Sequence, residues 1–179
     1  MKQILLFLLI STFCYSQQEY NETYDDKKNL IKFENFTIEE KIIVWKMIFE
    51  GDSVKVMKNL KSNLKLNFTQ TAIGSVKDLS LNCGSISIQL APNFTLDFKI
   101  EFKENKYRVI ATNFVFENAM NVNAGLFITS RQYNNIEYFC LKDRTGTFRK
   151  QSQMKHDLKC MDELLKNLFT SKETTEEKW

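Results

Sequence analysis

The chain has 179 residues, with 25 lysines and arginines against 22 aspartates and glutamates, one histidine, four cysteines and five glycines. That length suits one domain with tails, and so balanced a charge argues against a nucleic-acid partner. A single imidazole cannot complete a Cys/His zinc set and disfavours histidine-dependent nucleophiles, while scarce glycine disfavours phosphate-cradling loops, so no metal and no cofactor is expected.

Residues 1–16, "MKQILLFLLISTFCYS", read as a secretory signal: Lys2 is the positive start, Ile4 to Ile10 the apolar core, and Ser16 a small residue before Gln17. Cleavage is expected between Ser16 and Gln17. The apolar run is about a dozen residues, short of the roughly 20 that span a bilayer, and no later run is longer, so no transmembrane segment is expected. Cys14 offers a rival ending by lipidation, but Ser11 and Phe13 stand where a lipobox wants an aliphatic and a small residue. The expectation is export to the periplasm or secretion.

Residues 17–30 are polar without periodicity and read as a flexible lead-in to a single domain over 31–170. "KIIVWKMIFE", 41–50, is β-branched and aromatic and predicts a strand. Gly51 ends it, and Asp52 caps a helix through "SVKVMKNLKSNL" whose Val56, Met57, Leu60 and Leu64 share one face. "LNFTQTAIGSVKDLSL" and "GSISIQLAPNF" predict two strands, with turns at Gly74, Gly84 and Pro92-Asn93.

"FTLDFKIEFKENKYRVIATNFVF", 94–116, is the most regular stretch. Phe94, Leu96, Phe98, Ile100 and Phe102 share one parity, while Thr95, Asp97, Lys99, Glu101 and Lys103 share the other. Successive strand side chains point to opposite faces, so one side is buried and one wet. A tight turn at Glu104-Asn105-Lys106 joins it to the next strand, with Asn105 expected to take the left-handed backbone. Residues 117–150 read as an irregular insertion or an extra hairpin. Met154, Leu158, Met161, Leu165 and Leu168 then stripe a helix over 151–169, and 171–179 is a polar, flexible tail.

The expected fold class is α+β: a two-layer sandwich in which a curved antiparallel sheet of about five strands carries two helices on one face. Its order is strand, helix, four strands, insertion, helix. "WKMIFEGDSVKVMKNLKSNLKL" and "KIEFKENKYRVIATNFVF" give this order a further meaning. Over roughly 40–116 the chain resembles a family of exported bacterial proteins of unknown function with a TBP-like fold, after the TATA-box-binding protein. The family's charged turn corresponds to Lys103-Glu104-Asn105-Lys106-Tyr107-Arg108, followed by Asn113-Phe114. Asn105 stands where the family tends to have Gly, and Lys106 where it has Arg. The resemblance implies the TBP-like fold and no activity.

Removal of the signal leaves Cys83, Cys140 and Cys160. A Cys140–Cys160 bridge is the candidate disulfide; the alternative is three small buried hydrophobes. His156 lies opposite the apolar stripe of its helix and is expected to be solvated. Lys142, Arg144, Arg149, Lys150 and Lys155 form a basic cluster near Tyr138, Phe139 and Phe148, read as a solvated hairpin. Four N-x-T sequons, at Asn21, Asn35, Asn67 and Asn93, read as chance in an Asn-rich chain.

The wet parity gives the candidate binding face, Asp97, Lys99 and Glu101 with Arg108 across the turn. The expected function is that of an exported, non-enzymatic domain binding a protein, an envelope component or a small ligand there; an envelope protein or polysaccharide is the natural partner. The alternative is a carboxylate-dependent hydrolase of envelope polymers. Asp97 and Glu101 lie four residues apart, roughly 13 Å along a strand, which is wider than such hydrolases use.

Overall fold

The computed structural model describes residues 20–64, 72–87, 90, 93–118, 132–142 and 146–170. The expected signal, its Ser16/Gln17 cleavage position, Cys14, Asn67, Arg144 and the tail 171–179 lie outside them. The elements are β1 Glu22–Tyr24, β2 Leu30–Phe33, β3 Phe36–Glu39, β4 Ile42–Glu50, α1 Ser53–Leu64, β5 Ile73–Leu79, β6 Phe94–Lys103, β7 Lys106–Asn118, β8 Gln132–Asn135, α2 Ile136–Cys140, β9 Leu141–Lys142, β10 Thr147–Phe148 and α3 Ser152–Phe169. The strands form one antiparallel sheet in the order β5-β6-β7-β4-β3-β2-β10-β9, with β1 beside β2 and β8 beside β7.

The period-two pattern of β6 sets the layers. Phe94, Leu96, Phe98 and Ile100 are buried, and Lys99 is exposed. Across the strands the same face continues through Trp45 of β4 and Tyr107, Val109 and Ala111 of β7. Helix α3 seals it. Met154, Leu158, Met161 and Leu165 are buried, and Phe169 packs its ring on Trp45 and Phe98, with centroids 6.0 and 5.3 Å away. Burying each such aromatic stabilises by roughly 2–3 kcal/mol. Two polar bonds set the helix's position: Tyr107 Oη donates to the Phe169 carbonyl at 2.7 Å, and Trp45 Nε1 donates to the buried Asp162 carboxylate at 2.8 Å.

Helix α1 begins as its sequence dictates. Asp52 Oδ1 accepts the backbone N–H groups of Val54 and Lys55 at 3.0 and 3.1 Å, satisfying donors that the first turn leaves open. Val56 and Leu60 enter the core. Gly51 makes the close entry possible: its φ is +153°, and a Cβ there would lie 2.8 Å from Val56 Cγ2.

The α+β class, the antiparallel sheet and the α3 stripe stand as expected, and several local readings are corrected. The lead-in 17–30 contains β1 and the first residue of β2. Pairing with β2 and a 2.6 Å Glu22–Lys155 ion pair hold it, ties that local polarity conceals. Among the described residues between α1 and the insertion there are three strands, β5, β6 and β7, and those of 80–93 contain none. Gly74 is no turn. It lies inside β5 opposite Phe98, whose ring would come within 2.8 Å of any Cβ, so the glycine clears space for a core aromatic. The described parts of 117–150 join the sheet: β7 continues to Asn118, β8 pairs with it, and β10 pairs with β2 through Phe148 and Leu30.

The disulfide is Cys83–Cys160, with Cα atoms 6.0 Å apart, and not Cys140–Cys160; Cys140 is free and buried. The 83–87 segment runs along the α3 face bearing Gln153, His156, Asp157 and Cys160. Gln153 Nε2 donates to the Ser85 carbonyl at 2.9 Å, and Ser87 N donates to Asp157 Oδ1 at 3.3 Å. His156 is half-buried on that face, its Nε2 3.3 Å from the Cys83 carbonyl, and not solvated.

Candidate binding face of the sheet

Opposite the core, the register lines up rows of side chains across β4, β7 and β6. Ile48, Arg108 and Glu101 form one row; Lys46, Ile110 and Lys99 form the next, continued by Ile73 of β5. A bulge in β7 shapes the far end. Asp97 pairs with Thr112 and Thr95 with Val115, leaving an extra residue on β7 there, and Asn113 adopts φ +53°. Where β7 parts from β4, the Ile43 N–H is taken instead by Glu137 Oε1 at 2.8 Å.

The four residues of the predicted face share one side of the sheet, where Lys99 and Arg108 both contact Glu101 and Asp97 bonds Ser75 and Asn113 instead. Glu101 receives Lys99 Nζ on Oε1 at 2.9 Å and Arg108 Nε on Oε2 at 2.9 Å, with a further contact from Arg108 Nη2. The Lys99 hydrogen bond, then that of Arg108, holds the Glu101 carboxyl below its ordinary pKa. Asp97 accepts from Ser75 Oγ at 2.5 Å and from Asn113 Nδ2 at 2.8 Å. Both carboxylates are thus engaged by neighbours, an arrangement suited to displaying charge.

Sequence reasoning missed the apolar component. Ile48 is 63% exposed, and Ile42 and Ile73 are 48% exposed. A groove of about 510 Å³ opens beside Ile48, Glu101, Phe102 and Arg108. The signal was present: "IIVWKMIF" is apolar on both parities, as a strand covered on both faces would be, while the helices cover only one.

Arg149, Lys150 and Lys155 of the basic cluster each make structural contacts. Arg149 Nε donates to the Leu141 carbonyl at 2.8 Å, Lys150 contacts the Lys28 carbonyl and lies over the Tyr24 ring, and Lys155 pairs with Glu22. Asn35, within a sequon, donates its amide to Asp162 Oδ1 at 2.8 Å, a bond that ties it to α3. Among the described residues no group of three or more His, Cys, Asp or Glu side chains is placed to hold a metal, and no helix is long and apolar enough to cross a membrane.

No family model and no curated protein matches the chain. Among solved structures, the chain is similar to a TBP-like protein from Parabacteroides distasonis ATCC 8503. The TM-score is 0.43 at 14% identity, with 75% of this chain and 94% of that one covered. At that level no residue role or activity is transferred.

Proposed function

We propose that the chain is an exported, non-enzymatic binding domain whose outer sheet face takes an envelope protein. The observation that carries this reading is Ile48. It stands 63% exposed in a row with the ion-paired Arg108 and Glu101, on the parity opposite the one that α3 covers. Apolar surface framed by charge gives a partner area to bury and charges to fix its orientation. The Cys83–Cys160 disulfide supports an oxidising compartment. The engaged states of Asp97 and Glu101 weigh against a carboxylate hydrolase, whose acid must be free to give up its proton.

The test is capture from an envelope extract by the immobilised protein. Combined Asp97→Lys, Lys99→Glu and Glu101→Lys substitution, and separately Ile48→Ser, should each leave the circular dichroism spectrum intact and abolish capture of the same protein. Full capture by both folded variants would overturn the assignment of this face.

A further inference from the structure

A second concavity lies away from the outer face, between α2 and the start of α3. This cleft, of about 470 Å³, is floored by Leu90, Cys140 and Met154. Its polar wall holds Asp157, only 1% exposed. Oδ1 of that carboxylate accepts Ser87 N at 3.3 Å and Gln153 Nε2 at 3.0 Å, while Oδ2 receives no bond from a described residue. A carboxylate oxygen in a cavity wall that no described residue bonds is an acceptor for whatever enters the cavity.

The remaining wall shows which donor fits. Gln153 commits its amide nitrogen to the Ser85 carbonyl and to Asp157, which leaves its oxygen turned to acceptance. Arg149 bonds the Leu141 and Tyr138 carbonyls through Nε and Nη2, and no described residue takes the third nitrogen of its fork. Gln151 adds an amide with both functions. Among the described residues, one anion and one cation leave the wall balanced, with acceptors and donors close together. At the mouth Tyr138 is 72% exposed, its ring set edge-to-face on Phe139 at 5.3 Å.

We infer that this cleft binds a neutral saccharide unit. Adjacent hydroxyls donate to Asp157 Oδ2 and the Gln153 oxygen while accepting from Arg149 and Gln151, and the C–H face of the ring lies on Tyr138. A lone ammonium would meet the Arg149 charge and a lone carboxylate would meet Asp157, whereas a hydroxyl pair satisfies both without a net charge. Cys140 takes no part in this recognition: burial foremost, then the nearby Asp157 and Glu137 charges, push its thiol pKa far up and keep it an inert wall.

Saturation-transfer NMR on the full chain with glucose, N-acetylglucosamine and its β-1,4-linked trimer tests this, with butylamine and butyrate as charged controls. At least one saccharide should bind, and both controls should not. Asp157→Asn retains shape and should weaken binding about tenfold or more. Tyr138→Ala, at an exposed ring whose loss leaves the core intact, should weaken it with no change in thermal midpoint. Absence of saccharide binding below about 10 mM, preference for butylamine or butyrate, or full affinity in Tyr138→Ala would overturn the inference. Because the outer-face variants leave this cleft intact, failure here and failure of the envelope-protein reading are separately visible.

Discussion

The long central strands β4, β6 and β7 and the short flanking strands β1, β2, β9 and β10 share one sheet and one apolar core, yet only the flank adds ion pairs to α3 among the described residues. In the centre Trp45, Phe98 and Tyr107 gather about Phe169, the last residue of α3. At the flank the strands are two to four residues long. There Lys155 of α3 reaches Glu22 at 2.6 Å, and Lys159 reaches the buried Glu34 at 3.1 Å. Apolar burial needs no exact partner and tolerates approximate geometry. Ion pairs depend on two particular charges, on pH and on salt. Leu30, Phe33 and Phe148 are buried in the same core at the flank, so apolar burial fastens both ends of the sheet and the ion pairs add a conditional share at one.

The sharpest way to break the centre is Phe98→Ala. Phe98 is 2% exposed and packs over both Gly74 and Phe169, so its loss leaves a cavity. Urea denaturation should show a loss of about 3–5 kcal/mol, a large part of the total stability of such a domain. Next comes the Cys83–Cys160 bridge, which closes a sequence separation of 77 residues. Replacing both cysteines by alanine should cost about 2–4 kcal/mol in the same measurement. It should also loosen the 83–87 segment from α3 more than the central strands. A double alanine variant as stable as the native chain would show that the polar bonds of Gln153 and Asp157 hold this segment unaided.

The contrast also explains what was legible in the sequence. The β6 alternation and the α3 stripe are local periodicities, and Asp97, Lys99, Glu101 and Arg108 could be placed on one face from parity and a turn. The flank carries no such signal. Its hairpins turn at Glu34-Asn35 and Glu40-Lys41, with φ of +52° at Glu34 and of +49° and +68° at Glu40 and Lys41. Tight hairpins usually announce a left-handed residue with Gly or Asn, and these adopt it with glutamate and lysine. Even in the turn that was read, Glu104 at φ +54°, and not Asn105, takes the left-handed backbone. The partners of Glu22 and Glu34 lie more than a hundred residues away on α3, a distance no local window covers. The exposed isoleucines went unread because an apolar strand is by default a covered one.

The flank's conditional fastening gives a smaller, pH-dependent effect. Burial raises the Glu22 pKa, but hydrogen bonds from Lys155 and Tyr24 outweigh it and hold it below its ordinary value. Burial likewise lowers the Lys155 pKa, and the bond to Glu22 outweighs it, leaving the amine above its ordinary value. The pair's contribution is thus present above the unfolded carboxyl value of about 4.3 and lost as pH falls through the lower folded one. It is also present below the unfolded amine value of about 10.4 and lost as pH rises through the higher folded one. Amide protection factors in β1 and β2 should drop at both extremes before those of β6 and β7. Lys155→Met should shrink the acid limb, with Tyr24 still bonding Glu22, at a cost of about 0.5–1 kcal/mol. Simultaneous opening of flank and centre would show that the ion pair contributes nothing separable.

The smallest expected effect sits beside the largest. Lys99 follows Phe98 in β6, but its side chain is 55% exposed and its partner Glu101 keeps Arg108 when the amine is gone. Lys99→Ala should change stability by less than about 0.5 kcal/mol. A loss equal to that of Phe98→Ala would mean that the strand's register is off by one, since a single-residue slip exchanges the two faces. The substitution still has a sensitive readout. The Lys99 hydrogen bond is the foremost cause holding the Glu101 carboxyl below its ordinary pKa, with Arg108 second. In Lys99→Ala the Glu101 side-chain carbon should titrate at higher pH than in the native protein, while remaining below an unperturbed glutamate because Arg108 stays. A carboxyl titration unmoved by the substitution would show that Arg108 alone sets this charge, and that Lys99 is free to meet a partner.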